Sequence, residues 1–126
     1  MPRGYNSRNS VHEYGGASFT VKNNNVFFTN WDDQRIYCID NQKIFPVTPS
    51  PHAEKSLRYS DLTLTEDAKW LICIRENHNN EGEPINEIVA VKTDGSLDVK
   101  ILISGNDFYS SPRLNKNNDK LTWTQW

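Results

Sequence analysis

Two six-residue stretches decide the fold, Tyr59–Leu64 (YSDLTL) and Tyr109–Leu114 (YSSPRL), because they repeat one pattern at an offset of 50 residues. The Tyr-Ser pair and the final Leu coincide in both stretches. The alignment then continues without a gap through the following turn, to Leu71 over Leu121. The chain therefore contains an internal repeat.

A looser copy of the same strand-turn-strand order lies upstream. Ala17–Val21 is followed by an Asn-rich turn and then by the apolar run Val26–Phe28, and Val21 precedes Leu64 by 43 residues. A period of roughly 40–50 residues with four strands in each unit is typical of β-propellers. The sequence therefore predicts an all-β fold, a partial β-propeller of about two and a half four-stranded antiparallel blades.

Short apolar clusters bounded by Asn, Asp, Gly and Pro predict ten strands and no helix of ordinary length. The strongest hairpin signal is Asp94-Gly95. The predicted strands are Ala17–Val21, Val26–Asn30, Arg35–Asp40, Ile44–Thr48, Asp61–Thr65, Trp70–Arg75, Glu87–Lys92, Val99–Ser104, Ser111–Asn115 and Lys120–Trp126.

These strands group into blades over residues 17–48, 61–104 and 111–126 of a single domain that spans residues 1–126, with Pro49–Arg58 as a linker. Continuous apolar runs such as Leu71–Ile74 indicate strands that are covered on both faces, as blades stacked on each other would cover them. Because the third blade has only two strands, we expect the chain to be truncated relative to a functional protein. We also expect self-association through the exposed blade edges.

The composition excludes several classes of protein. Aromatic residues make up 11% of the 126 residues, which favours a folded chain over a disordered one. A net charge of -2 with scattered cations argues against a nucleic-acid binder, which needs a basic face. No apolar run approaches the roughly 18 residues of a membrane span, and the first residues lack the apolar stretch of a secretion signal. We therefore expect a cytoplasmic protein with neither nucleic acid nor membrane as partner.

No catalytic machinery is visible in the sequence. There is no Gly-x-Ser-x-Gly elbow, and the three histidines, His12, His52 and His78, form no recognisable motif. Cys38 and Cys73 lie in strand-like runs, where we predict two small buried hydrophobic side chains, and their spacing gives no support for a disulfide. A metal site from His12, His78 and nearby Glu would need a convergence that the spacing does not predict. We therefore predict no catalytic residue, no metal and no cofactor.

Five segments together carry a resemblance to the propeller domain of prolyl-oligopeptidase-family serine peptidases, of the dipeptidyl-peptidase-like or acylaminoacyl-peptidase-like kind. The resemblance extends over nearly the whole chain from Val11, and Asp107–Leu114 is its most specific part. The chain departs from the family's Ser-Pro-Asp-Gly turn, since Thr65–Ala68 and Asn115–Asn118 stand there instead. The five segments are His12–Ala17, Arg58–Leu62, Trp70–Glu76, Asn86–Val91 and Ser104–Leu114.

The resemblance implies a two-domain enzyme that hydrolyses peptides or acyl-peptides. A C-terminal α/β-hydrolase domain, missing from this chain, would carry the catalytic Ser, Asp and His. The propeller would restrict access to that site and contact the peptide substrate. Two alternatives remain open from the residues, a propeller that binds proteins without catalysis and a truncated relic without function.

Several residues are candidates for contacting substrate. His12, Glu13 and Tyr14 would line the mouth of the propeller, or else belong to a turn leading into a blade. Arg75 and Glu76 begin a polar insertion that would present carboxylates to the amino terminus of a peptide, or else form a solvated acidic loop bridged by Arg75.

Tyr109 and Arg113 are the remaining candidates for contacting substrate. The alternative interpretation makes the aromatic side chain part of the core between blades and Arg113 a charge at a strand edge.

Overall fold

All regular elements of the computed structural model are β-strands, over the residues that the structure describes: 4–9, 18–22, 24–51, 53–78, 82–105, 107–115, 117 and 120–126. None of these segments forms a helix of the length and apolarity that a membrane span requires. The strands are β1 (Phe19–Lys22), β2 (Asn25–Thr29), β3 (Ile36–Asp40), β4 (Lys43–Pro46), β5 (Leu57–Leu64), β6 (Trp70–Asn77), β7 (Ile85–Lys92), β8 (Val99–Ser104), β9 (Tyr109–Leu114) and β10 (Leu121–Gln125).

The strands form three antiparallel sheets in which each strand pairs with its neighbours in sequence. The orders are β1-β2-β3-β4, β5-β6-β7-β8 and β9-β10. The first strands of the sheets contact each other in turn, β1 with β5 and β5 with β9. These three are therefore the inner strands, and the architecture is the partial β-propeller that the repeat predicted.

The 50-residue repeat has a structural counterpart in two matching β-bulges. In β5 the pairing with β6 shifts between Ser60 and Thr63, and the pairing of β9 with β10 shifts at the equivalent place. Asp61 and Ser111 occupy the bulges with positive φ values of 57° and 54°. The Ser111 amide donates a 2.9 Å hydrogen bond to Oδ2 of Asp61, so equivalent positions of neighbouring sheets are joined directly.

Two apolar clusters fill the space between the sheets. The first lies between the β1–β4 and β5–β8 sheets and includes Phe27, Tyr59 and Leu71. The second lies between the β5–β8 and β9–β10 sheets and includes Ile74 and Tyr109. The central strands β6 and β7 of the middle sheet are therefore buried on both faces, which explains their continuous apolar runs, whereas the outer strand β8 is largely exposed.

Several strand ends differ from the prediction. β5 begins at Leu57 and not at Asp61, β6 continues to Asn77, and β7 already begins at Ile85. The physical reason is cross-strand pairing: Leu57 lies opposite Asn77, and Asn77 lies opposite Ile85. Polar residues that suggested loops are thus inside the ladder, and the predicted linker Pro49–Arg58 ends two residues earlier than expected.

Smaller differences occur at other strands. β9 begins at Tyr109 and not at Ser111, and β4 ends at Pro46 and not at Thr48. β1 begins at Phe19, and Ala17, the predicted start, lies outside the described residues.

The turn between β5 and β6 keeps its geometry without the family's Pro and Gly. Oδ1 of Asp67 accepts hydrogen bonds from the Thr65 hydroxyl at 2.6 Å and from the Lys69 amide at 3.0 Å. Ala68 takes the positive φ, 58°, that Gly would otherwise supply. The Thr65 hydrogen bond, together with the Lys69 amide, holds the pKa of Asp67 below its usual range. An Asp-centred turn therefore replaces the usual one.

Candidate functional site

The blades have two chemically different ends. The hairpins β1–β2, β3–β4, β5–β6, β7–β8 and β9–β10 turn at one end. The opposite end carries the β2–β3 and β6–β7 turns and the links between sheets, and we call it the connection end. Two polar groups, which together we call the buried polar cluster, lie on opposite faces of the middle sheet at its connection end. Tyr59, Arg75 and Glu87 face the first sheet, and Glu76 with the half-buried Arg58 and His78 lies on the other face.

An ion pair between Arg75 and Glu87 forms half of this cluster. The two residues are cross-strand partners in β6 and β7, and Nη2 of Arg75 donates to Oε2 of Glu87 at 2.8 Å. Arg75 is only 9% exposed. Burial alone would lower the pKa of Arg75, but the hydrogen bond and charge of Glu87 together with Tyr59 raise it, so the guanidinium stays charged.

Tyr59 shares this face, opposite Arg75 in the pairing of β5 with β6. Burial raises the pKa of Tyr59 to about 12, although the nearby Arg75 charge opposes the rise. Within the described part of the chain, the Tyr59 hydroxyl and Nε of Arg75 are buried without a well-formed hydrogen bond. The face therefore holds a neutral phenol against a charged pair.

The other half of the cluster surrounds the Glu76 carboxylate, whose residue is 2% exposed. Its Oε1 lies 2.5 Å from Nε2 of His78 and 3.7 Å from Nη1 of Arg58. A buried carboxylate needs such partners, because an isolated charge is expensive to remove from water. The paired strands β5 and β6 therefore hold the Glu76 carboxylate in a fixed position between Arg58 and His78.

The described residues offer no activated nucleophile in this cluster. His78 pairs with Glu76 and has no hydroxyl or thiol among its partners in the described chain. Cys38 and Cys73 are free and buried, as predicted. Burial raises the pKa of Cys38 to about 11 and that of Cys73 further, which disfavours the reactive thiolate. Across the described ranges no group of three or more His, Cys, Asp or Glu side chains is placed to hold a metal ion.

The candidate substrate-contact residues fall into three groups. Arg75 and Glu76 lie at the connection end of β6 on opposite faces of the sheet, and Tyr109 lies at the same end, 1% exposed in the core between the second and third sheets. Arg113 is exposed towards the hairpin end of β9, where Nη1 donates to the Pro112 carbonyl. The structure thus brings three of them to one end and separates Arg113. His12, Glu13 and Tyr14 lie outside the described residues.

The alternative of a solvated acidic loop at Arg75 is wrong for its first and last carboxylates. Glu76 and Glu87 lie inside β6 and β7 and are buried. Sequence reasoning also missed the contributions of Arg58 and Tyr59. A signal was present for the Arg75–Glu87 pair alone, since the two residues stand at mirrored positions about a turn, as an antiparallel pair requires.

Solved structures resemble the chain over its whole length. A puromycin-hydrolysing peptidase from Mycobacterium tuberculosis matches with 33% identity and a TM-score of 0.90. A puromycin hydrolase matches with 26% identity and a TM-score of 0.89, and so does a mutant of puromycin hydrolase complexed with PGG. The match covers 100% of this chain but only 22% of each of the others. No protein-family model and no curated protein sequence matches the chain.

The fold and these structural matches agree with the resemblance found in the sequence. The chain matches the β-propeller domain of prolyl-oligopeptidase-family peptidases and is homologous to the propeller part of a peptide-hydrolysing peptidase.

Proposed function

We propose that the chain is a non-catalytic propeller segment of a serine peptidase. In this proposal an α/β-hydrolase domain of the same protein hydrolyses peptides or acyl-peptides, and the propeller restricts access to that domain and contacts the substrate. The observation that carries the proposal is the match of the whole chain to 22% of a puromycin-hydrolysing peptidase at a TM-score of 0.90.

The chemistry of the described residues favours a non-catalytic role for this segment. Acyl transfer needs a nucleophile within hydrogen-bond reach of a base. The two thiols are buried with raised pKa values, and His78 is engaged by Glu76. Bond cleavage is therefore assigned to the rest of the protein.

The packing of the blades supports the gating role. The middle sheet, whose central strands β6 and β7 are buried on both faces, is held against its neighbours by two apolar clusters, and the inner strands β1, β5 and β9 contact each other in turn. Close-packed interiors deform little. A wall of this kind admits small peptides through a fixed opening and excludes folded proteins.

The connection end is the end that we assign to the substrate side. Arg75, Glu76 and Tyr109 lie there, and His12, Glu13 and Tyr14 join them in this proposal. The buried position of Arg75 and Glu76 makes their contribution one of electrostatic field and rigidity. A cytoplasmic location is proposed as well, since both cysteines are free and a reducing compartment keeps thiols in that state.

The test is hydrolysis by the native protein, isolated from its source cell with an antibody against this segment. Puromycin is the first substrate, because the matched peptidases hydrolyse it, followed by short peptides and acyl-peptides. We expect hydrolysis of small substrates, labelling by a fluorophosphonate that modifies active serines, and no cleavage of a folded protein. A native protein that takes up no fluorophosphonate and hydrolyses none of these substrates would overturn the proposal.

A further inference from the structure

The outer strand of the middle sheet, β8, has one edge that no other strand covers. The sheet order is β5-β6-β7-β8, so β8 pairs with β7 alone among the described residues. Further blades of a propeller stack against the faces of a sheet, so their addition leaves this outer edge uncovered. An uncovered edge is a template for pairing with another strand. The self-association expected from the sequence therefore has a definite candidate in β8.

The equivalent outer strand of the first sheet, β4, is protected against such pairing. It has only four residues, among them Lys43 and Pro46, and Pro46 has no amide hydrogen to donate. β8 has six residues and one charged side chain, Lys100. Nζ of Lys100 lies 5.0 Å from the centre of the Trp70 ring on β6, so this charge is held over the face of the sheet and not along its edge. β8 therefore lacks the protection that β4 has.

Two exposed apolar side chains lie at the centre of β8. Ile101 is 58% exposed and Leu102 is 46% exposed. Ile101 pairs with Val89, whose side chain faces the first sheet, and that sheet has its full four strands. The exposure of Ile101 therefore does not arise from the two-stranded third sheet. Removing both side chains from water would be favourable.

The side chains of β8 follow a palindromic order of faces. The face of each residue follows from its partner on β7, because paired residues point to the same face. Val99, Ile101 and Ser104 face the first sheet, whereas Lys100 and Ile103 face the third. Leu102 has no partner on β7, because a β-bulge interrupts the pairing there. The order of faces is therefore the same from either end of the strand.

This palindrome matches a second copy of β8. When two copies pair antiparallel about a twofold axis perpendicular to the sheet, residues opposite each other lie on one face. An axis between residues 101 and 102 satisfies this condition on both sides. The outer pairs that it creates, each on a single face, are Val99–Ser104 and Lys100–Ile103. The two Lys100 side chains are then not opposite each other, so this register avoids repulsion between like charges.

We propose that β8 pairs antiparallel with β8 of a second copy of this protein, which joins the two middle blades into a continuous eight-stranded sheet. Ile101 and Leu102 of each copy pack on each other at the twofold axis, and the free edges supply the backbone hydrogen bonds. Both copies use the same surface, so the assembly is closed and stops at a dimer. The proposal does not depend on the peptidase activity, whose readout is hydrolysis.

The test is multi-angle light scattering of the whole protein, with the mass of a single chain taken from mass spectrometry. We expect a mass of two chains. Ile101→Lys places two like charges beside the axis in an apolar contact, and it should raise the dissociation constant of the dimer by about tenfold or more. Leu97→Lys is the matched control, because Leu97 is apolar and 41% exposed just before β8 but lies outside the pairing. It should leave the mass unchanged.

A pair of engineered cysteines locates the contact. Ile101→Cys/Leu102→Cys sets thiols opposite each other in the proposed register, so mild oxidation should give a covalent dimer on a non-reducing gel, whereas Leu97→Cys should give none. A monomeric whole protein, a dimer that survives Ile101→Lys, or the absence of the covalent dimer would each overturn the proposal. The replaced side chains are exposed, so the variants should unfold at the temperature of the parent, which a thermal scan checks.

Discussion

Replacing Glu87 by Gln removes one charge of the buried pair at the connection end and leaves the other in place. In Glu87→Gln the Arg75 guanidinium stays 9% exposed but loses the carboxylate that accepts its 2.8 Å hydrogen bond. Tyr59, the neighbour on the same face, is neutral and cannot replace that charge. Breaking a buried ion pair from one side costs about 3–5 kcal/mol.

The assay is urea unfolding of the whole protein, followed by tryptophan fluorescence. With an m-value of about 1–3 kcal/mol per molar urea, the loss corresponds to a midpoint lowered by about 1–5 M. Glu83→Gln is the control, because the same chemical change at an exposed carboxylate should alter the free energy of unfolding by less than about 0.5 kcal/mol. The double variant Arg75→Met/Glu87→Leu removes both charges and should recover most of the loss.

The reasoning would be refuted if Glu87→Gln unfolded at the same urea concentration as the parent. It would also be refuted if the double variant were as unstable as the single one. In the first case the Arg75 charge would be solvated and not buried, and in the second the loss would come from packing and not from an unpaired charge.

Three further predictions test other parts of the structure. Because burial raises the pKa of Tyr59 from 10.0 to about 12, the neutral phenol contributes on the order of 2 kcal/mol to the free energy of unfolding, fully present below pH 10 and lost as pH rises towards 12. The free energy of unfolding of Tyr59→Phe should therefore fall less steeply over this pH range than that of the parent, and equally steep falls would contradict the prediction. The buried Cys73 thiol should react with a disulfide reagent only at the rate of unfolding, and rapid labelling of the native protein would disprove its burial. Asp61→Ala should lower the free energy of unfolding by about 2 kcal/mol, because it removes the hydrogen bond from the Ser111 amide and places Ala at a φ of 57°. Asp61→Asn should lower it clearly less, and equal urea midpoints for the two variants would count against the role of the bulge.

The repeat was sufficient to predict the architecture because it marks positions with strict physical demands. Tyr59 and Tyr109 are both buried between sheets, so each copy needs a large ring there. Asp61 and Ser111 sit two residues later in left-handed conformation, where short polar side chains are tolerated. Two different constraints at one offset are hard to obtain by chance.

The strand ends were not predicted, because hydrophobic periodicity treats polar residues as breaks. Arg75-Glu76-Asn77 continues β6, and its polar side chains are accommodated by partners on β5 and β7. Those partners depend on the register, which the length of the intervening turn decides. The turn length could not be fixed from residues 78–84 alone.

The candidate site shows the same limit of sequence reasoning. Tyr109 and Arg113 are four residues apart, which suggests a common location, yet in an extended strand four residues span roughly 13 Å. They therefore lie towards opposite ends of β9.

The most direct test of the central claim is the intact mass of the protein in its source cell, measured by mass spectrometry after capture with an antibody against this segment. Dividing the chain's 14.6 kDa by the 22% of the matched peptidase that it covers gives a parent of roughly 66 kDa. A mass near that value is the predicted result, with this segment forming part of a larger peptidase. A mass of 14.6 kDa would contradict the account, because the chain would then act without a hydrolase domain.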